Sequence, residues 1–310
     1  MRSIRIIHDG NNPSLIEEEI PQPQPGPGQL LIRVYAAGVT PTELLWYPTT
    51  HTRTGEQRSH AIPGHEFSGV IAATGKDVTE FKIGDEVYGM NDWFDDGATA
   101  EYCLTLPSSI ALKPSRASHA EAASVPIGAL TAWQGLFDRA RLQSGERVFV
   151  QGGAGAVGVF AVQLAHNRGA RVVATASPRN FDFVRQLGAE RLIDYNTDYF
   201  GENAGAFDVV FDVVGGDTLL RSWSLLKPGG RMVTVAAQSE QPEDERVEQA
   251  FFIVEPNKQQ MNEIGDMLDS GRLQTVVDTI IPLVQAPDAY TGKLAGKRGR
   301  GKVVIAVAEQ

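Results

Sequence analysis

The chain has a single cysteine, Cys103, in 310 residues. One thiol excludes an internal disulfide and any zinc site built from several thiolates. Positive charge is also scarce: 28 Lys and Arg stand against 38 Asp and Glu, a formal net charge of −10. A surface for nucleic acid or anionic membrane needs the opposite balance, so neither is expected as a partner. The opening MRSIRIIHDG holds no apolar stretch of signal-peptide length, and the expectation is a cytoplasmic protein. The nearest approach to a membrane span is Val148 to Ala165, VFVQGGAGAVGVFAVQLA, which is uncharged. Its glycines and the early Gln151 read instead as a strand, a turn and a buried helix.

What is present divides into two styles of sequence. The first third is rich in turn signals. PQPQPGPGQ (Pro21–Gln29) precedes an apolar strand, LLIRVYAAGV, and strand-like runs follow at Phe67–Ala73, Glu86–Tyr88 and Ala100–Leu104. That spacing suits a compact all-β unit. Near Ser118 the pattern changes. Ser118 with Glu121 is a capping-box signal for a helix start, and a helical pattern covers Ala129 to Arg139. Strands and helices then alternate: strands at Arg147–Gln151, Arg171–Ala176, Arg191–Asp194, Asp208–Val214, Arg231–Ala236 and Phe251–Val254, helices at Ala154–Asn167, Asn180–Leu187, Asp217–Leu226 and Asn257–Asp269. Apolar strands separated by helices imply βαβ units and a parallel sheet covered on both faces. The tail returns to short strands, Thr279–Ile281 and Lys302–Val307, expected to rejoin the first domain.

Within the alternation lies QGGAGAVG, in which Gly153, Gly155 and Gly158 satisfy G-x-G-x-x-G. A strand leads in and an apolar helix leads out. That is the setting in which such glycines form a tight turn, let the backbone approach a pyrophosphate and aim a helix N-terminus at it. The next strand runs VVATASPRN and ends without the acidic residue that takes ribose hydroxyls in an NAD site. Ser177 and Arg179 stand there instead, as donors suited to a 2′-phosphate. The expected cofactor is therefore NADP(H).

These segments, with GHEFSGV, GDEVYGM (Gly84–Met90), EYC (Glu101–Cys103), PIGALTAW (Pro126–Trp133), LGAERLIDY (Leu187–Tyr195) and FFIVEPN (Phe251–Asn257), resemble the medium-chain dehydrogenase/reductase superfamily over nearly the full chain. They look most like its zinc-independent, quinone-oxidoreductase-like branch. The resemblance implies an α/β protein with a GroES-like β-barrel catalytic domain, residues 1–124 completed by 276–310. Residues 125–275 would form a Rossmann domain, a doubly wound parallel sheet in strand order 3-2-1-4-5-6. It further implies a nicotinamide cleft between the two and a homodimer along the Rossmann sheet edge.

Zinc members of the superfamily hold catalytic zinc through a Cys in the first domain, the His of GHE, and a second Cys before the Thr-Ala-aromatic segment. Here those positions are Thr40, His65 and Ile127. His65, with Glu66, Glu43 or His60 as the remaining neighbours, does not make a tetrahedral site. No metal is expected, and His65 reads as a hydrogen-bonded structural histidine. Without a Lewis acid, the acceptors left are quinones and α,β-unsaturated carbonyls, small molecules that take hydride without strong polarisation.

For the cofactor, the resemblance implies backbone contacts at Gly155, Ala156 and Val157, and a 2′-phosphate pocket of Ser177, Arg179 and Tyr195. Thr131, Ala236, Ala237, Phe252 and Ile253 would flank ribose and nicotinamide. Lys302 closes a basic run that reads as a solvated loop or as a contact to cofactor ribose or phosphate. Tyr47 and Thr40 are the candidates to orient a substrate oxygen. Two other readings stay open: an enoyl-thioester reductase, and a non-catalytic NADPH-binding regulatory protein.

Overall fold

The computed structural model describes residues 1–9, 12–197, 200–203, 205–236, 244–296 and 298–308. Its strands in chain order are β1 (Arg2–Asp9), β2 (Asn12–Glu19), β3 (Leu30–Gly38), β4 (Glu66–Thr74), β5 (Glu86–Met90), β6 (Tyr102–Thr105), β7 (Ile110–Leu112), β8 (Arg147–Val150), β9 (Arg171–Ala176), β10 (Arg191–Asp194), β11 (Phe207–Asp212), β12 (Leu226–Thr234), β13 (Val277–Pro282) and β14 (Lys302–Ala306). The helices are α1 (Tyr47–Thr50), α2 (His119–Ala123), α3 (Pro126–Trp133), α4 (Gly158–Asn167), α5 (Phe181–Gln186), α6 (Gly216–Ser222), α7 (Glu245–Ala250), α8 (Lys258–Asp269) and α9 (Ala286–Tyr290). The chain forms two compact units, one of residues 1–127, 255–298 and 302–310, the other of 128–254 and 299–301.

The first unit is β-rich. β1 and β2 form an antiparallel hairpin, and a seven-stranded sheet runs β13-β14-β3-β4-β5-β7 with β6 pairing β3. β3 is buried along most of its length because both of its faces are covered. Ile32, Val34 and Ala37 join Ile4, Phe67, Ile71, Val87 and Ile305 in one core cluster. The capping box forms with both arms: Ser118 N donates to Glu121 Oε2 at 2.8 Å and Glu121 N to Ser118 Oγ at 3.3 Å.

Residues 255–275, placed with the Rossmann domain on sequence, pack in this first unit up to and including α8 and the turn after it. The Tyr88 hydroxyl donates to the Met261 carbonyl at 2.6 Å, and Asp269 accepts from Ser115 Oγ and the Arg116 amide. These are partners far away in sequence, which helix periodicity does not report.

The second unit is the α/β half. Its parallel sheet runs β10-β9-β8-β11-β12, which is order 3-2-1-4-5. Phe149, Val173, Phe207, Val210 and Leu225 fill the core on one face. The sixth strand expected over Phe251–Val254 shortens to an isolated parallel bridge, Thr234↔Phe251, with one ladder bond from Phe252 N to Thr234 O at 3.2 Å. Pro256, which has no N–H to give a ladder, follows at once and leads into α8. The uncharged run Val148–Ala165 resolves into the end of β8, a turn, and α4, whose first residue is Gly158 rather than Ala154 because the glycine turn takes up the residues between. Among the described residues no helix is long and apolar enough to cross a membrane.

Candidate active site

The glycine loop is pinned from both sides before it reaches the helix. Gln151 Nε2 donates to Ser222 Oγ at 2.8 Å, Thr175 Oγ1 donates to Gln151 Oε1 at 3.1 Å, and the Gly152 amide donates to Thr175 Oγ1 at 2.9 Å. This buried relay ties the end of β8 to β9 and α6. The three motif glycines then meet different demands. A Cβ at Gly153 would lie 2.9 Å from the Ala174 Cβ, and one at Gly158 would lie 2.8 Å from the Gly153 Cα, so both are pressed against protein. A Cβ at Gly155 would meet only the Gly152 carbonyl oxygen, at 3.4 Å, and Gly155 is exposed. The middle glycine is the one that faces open space. Beyond it the amides of Ala156, Val157 and Gly158 have no acceptor among the described residues, as at the start of any helix. The loop can therefore take a pyrophosphate on its free N–H groups at the positive end of α4. The segment 299–301 closes its flank: Gly301 pairs with Gly155 and donates to the Ala154 carbonyl at 2.9 Å.

β9 ends at Ala176, and the chain turns through Ser177, Pro178 and Arg179 without an acidic side chain. Arg300 supports that turn. Its Nε donates to Asn180 Oδ1 at 2.8 Å, its Nη2 to the Arg179 carbonyl at 3.1 Å, and its guanidinium lies 4.8 Å above the Phe183 ring. Neither Arg179 nor Arg300 has a carboxylate partner among the described residues. Two guanidinium groups without a counter-ion suit an anion. Sequence reading picked Arg179 and missed Arg300; the only signal was the basic run from Lys297 to Lys302.

The other expected cofactor residues are spread over the second unit. Thr131 is buried in α3, and Tyr195 is 57% exposed just after β10. The Ala236 amide donates to Thr234 Oγ1 at 3.1 Å, while Ala237 lies outside the described residues. Phe252 is buried with the Arg139 guanidinium 5.5 Å above its ring, and the neighbouring Ile253 is exposed. Asp212 was not singled out on sequence. It closes β11 by accepting from Thr234 Oγ1 at 2.9 Å and the Gly215 amide at 3.0 Å, and burial raises its carboxyl pKa against those bonds. It shapes the turn whose Val213 side chain packs near Gly152.

In the first unit a buried polar cluster gathers Thr40, Glu43, His65, Glu66 and Lys302. His65 is 1% exposed; its Nδ1 meets Glu43 Oε2 at 2.8 Å, and its Nε2 donates to the Asp95 carbonyl at 3.1 Å. Glu43 also accepts from the Gly64 amide at 2.7 Å. Glu66 takes the Ile127 amide on Oε2 at 2.9 Å and forms an ion pair through Oε1 with the Lys302 ammonium. Burial raises the Glu66 pKa, with Lys302 and the Ile127 amide pulling the other way. Lys302 Nζ also donates to Thr40 Oγ1 at 3.1 Å. The Lys302 side chain thus lies in this cluster, among residues of the first unit.

Aromatic rings extend from the cluster. Trp93 lies 5.0 Å from His65 and 4.9 Å from Trp46. Tyr47, 43% exposed, stacks on His51 at 4.4 Å and meets Phe94 edge-on at 6.5 Å.

The cluster does not fit a zinc ion. Both ring nitrogens of His65 are engaged, the Thr40 oxygen takes an ammonium, and Ile127 offers no donor atom. Cys103 is buried in β6, where burial pushes its thiol pKa up and so away from thiolate. Among the described residues no three His, Cys, Asp or Glu side chains are grouped to hold a metal.

Comparison with known proteins finds two family models along the chain. A family model described as "Alcohol dehydrogenase GroES-like domain" matches residues 26–135, and one described as "Zinc-binding dehydrogenase" matches 187–305. A "Probable zinc-binding oxidoreductase, mitochondrial" of Arthroderma benhamiae is 33% identical, covering 92% of each chain. An "NADPH-dependent alkenal/one oxidoreductase, chloroplastic" of Arabidopsis thaliana is 31% identical over 94% of this chain and 75% of that protein. Among solved structures, a quinone oxidoreductase from Coxiella burnetii superposes with a TM-score of 0.86 at 30% identity, covering 99% of both chains. Zinc appears in two of these descriptions, yet the donor set of Thr40, His65 and Ile127 offers it no site.

Proposed function

Because the chain belongs to the medium-chain dehydrogenase/reductase superfamily, in its quinone-oxidoreductase-like branch, and is an oxidoreductase using a nicotinamide cofactor, we propose that it is a metal-independent, NADPH-dependent reductase of quinones or α,β-unsaturated carbonyls. The observation that carries this reading is the glycine loop with an open middle glycine, followed by a strand whose exit turn carries Ser177 and Arg179 rather than an acid. An acid there would repel a 2′-phosphate, whereas Ser177, Arg179 and the adjoining Arg300 supply donors and two positive charges.

A reduced nicotinamide, when bound, supplies a hydride. The protein's share is to hold the pyrophosphate on the Ala156–Gly158 amides, fix the adenosine end through Arg179, and give the acceptor an oriented, desolvated place. The acceptor class follows from the lack of a metal donor set. A simple carbonyl needs polarising by a Lewis acid or a strong proton donor, while a quinone becomes aromatic as hydride arrives and an enone spreads the charge into an enolate. The names of the relatives fit both acceptor types. A homodimer and a cytoplasmic setting remain part of the proposal; the Arabidopsis relative is named chloroplastic and the Arthroderma relative mitochondrial.

The test is NADPH consumption under chelator, with an ortho-quinone and a medium-chain enone side by side. Turnover of either supports a metal-independent reductase, and the ratio chooses the acceptor. NADPH binding with no consumption of either would replace the proposal with a thioester substrate or a non-catalytic role. Activity that chelator abolishes and zinc restores would refute the metal-independent part.

A further inference from the structure

The Thr40 hydroxyl stands in an unusual electrostatic position. It lies two residues past the end of β3, level with Lys302 at the start of β14 when the antiparallel register in which Val304 pairs with Gly38 is continued. The Lys302 ammonium is 5% exposed and has two partners: the Glu66 carboxylate, which neutralises it, and Thr40 Oγ1, to which it donates at 3.1 Å. Thr40 Oγ1 therefore accepts from a buried cation. Its own O–H has no acceptor among the described residues, and the residue is half-buried rather than enclosed. A hydroxyl that accepts from an ammonium is polarised toward donating, and hydrogen bonds in such a chain strengthen one another in a low-dielectric setting.

We propose that Thr40, polarised by Lys302, is the hydrogen-bond donor that stabilises the oxygen of the reacting acceptor, with Lys302 a positioning residue and Glu66 the counter-ion that keeps the ammonium in place. The assignment rests on the reductase reading above. In an enone, hydride adds to the β-carbon, the C=C electron pair shifts toward the carbonyl, and the oxygen of the resulting enolate carries the negative charge. Thr40 donates to that oxygen and keeps its proton. Water protonates the α-carbon, so one hydride and one proton account for the saturated product. A quinone follows the same pattern, with a hydroquinone monoanion in place of the enolate. The arrangement gives the chain a fixed dipole where charge develops, which is the function a metal would otherwise serve.

Two readouts decide the assignment. The first is steady-state turnover of an enone by Thr40→Val, Thr40→Ser, Lys302→Met and the Thr40→Val/Lys302→Met pair, each checked for melting temperature and NADPH affinity. Removing one oxyanion donor lowers kcat by about 100-fold or more in established cases, and a partly solvated donor such as this one should give about 10- to 100-fold. Thr40→Val should show that loss in kcat rather than KM, Thr40→Ser should restore most of it, and the pair should be no worse than Thr40→Val, because Lys302 acts through Thr40. If Lys302→Met does not fold, Lys302→Met with Glu66→Gln removes both charges together and takes its place.

The second readout needs no cofactor turnover. The protein is titrated with 4-nitrophenolate, an aryl oxyanion resembling the enolate or hydroquinone anion, and the shift in its absorbance is followed. Wild type and Thr40→Ser should bind it about tenfold more tightly than Thr40→Val, the worth of one charge-assisted hydrogen bond. Wild-type kcat and probe affinity in Thr40→Val, a Thr40→Ser as impaired as Thr40→Val, or losses that multiply in the pair would each overturn the assignment. A wild type that reduces no acceptor would end the reductase reading, while the nitrophenolate titration would still decide the donor.

Discussion

Replacing Gly155 and Gly158 singly by alanine should separate cofactor binding from folding. At Gly155 a Cβ meets only the Gly152 carbonyl oxygen, at 3.4 Å, and the residue is not among the glycines with positive φ. The unliganded variant should keep its melting temperature or gain slightly, because Gly→Ala at a compatible backbone stabilises by about 0.4–1 kcal/mol. At Gly158 the same methyl would lie 2.8 Å from the Gly153 Cα and from the Gly152 carbonyl carbon, so the turn must open. Overpacking of that kind costs about 1–3 kcal/mol, a fall of about 2–5 °C for a chain of this length.

Cofactor affinity should change at Gly155 despite the intact fold, since its methyl enters the open side of the loop. Losing one charge-assisted hydrogen bond to the pyrophosphate costs about 1.5–3 kcal/mol, or about 10- to 150-fold in Kd. The assay is thermal unfolding with and without NADPH at about 100 times the wild-type Kd. Wild type should gain about 2.7 kcal/mol, and a variant bound about 100-fold more weakly only about 0.4 kcal/mol. An unliganded Gly155→Ala that melts as low as Gly158→Ala, or one that keeps the full NADPH-induced shift, would refute the account of the loop.

Arg179→Ala should weaken NADPH by about 10- to 100-fold while leaving NADH within about twofold, measured by fluorescence titration; equal losses would remove the 2′-phosphate assignment. Tyr88→Phe removes the 2.6 Å hydroxyl bond to the Met261 carbonyl, which sits inside α8 with a helical donor position of its own, and should destabilise by about 0.5–1.5 kcal/mol in denaturant melts, with m unchanged. Asp269 links stability to pH. Partial burial works against it, but donors from Arg116 and Ser115 hold its carboxyl below the ordinary value. A lowered folded-state pKa gives stability that is present above the unfolded value of about 3.9 and is lost as pH falls through the folded one. Asp269→Asn should therefore be less stable than wild type at neutral pH and converge with it in acid, as followed by tryptophan fluorescence; a constant gap at every pH would refute the linkage.

Much of this could be read along the chain. The capping box at Ser118 and Glu121, the strand limits of β9 and β10, and the end of the helix before Gly188 depend on residues within one turn or one strand of each other, so local pattern reports them. The glycine loop was legible for the same reason: a strand, a turn and a helix follow one another in about a dozen residues. The lack of thiolates at positions 40 and 127 is a plain fact of residue identity, and it removed the zinc donor set before any geometry was known.

What the chain order could not supply was partnership across it. Lys302 and Thr40 are 262 residues apart, and only the antiparallel register of β14 on β3 sets them face to face. The same holds for Arg300 on Asn180, for Tyr88 on Met261, and for the two oxygens that occupy the ring nitrogens of His65. A buried charge must find its counter-charge wherever the fold provides one, because leaving it unpaired costs more than most local preferences can repay. Local propensity therefore determined where strands, helices and the phosphate loop begin. Tertiary packing decided which buried groups meet, and with them the electrostatics on which the chemistry depends.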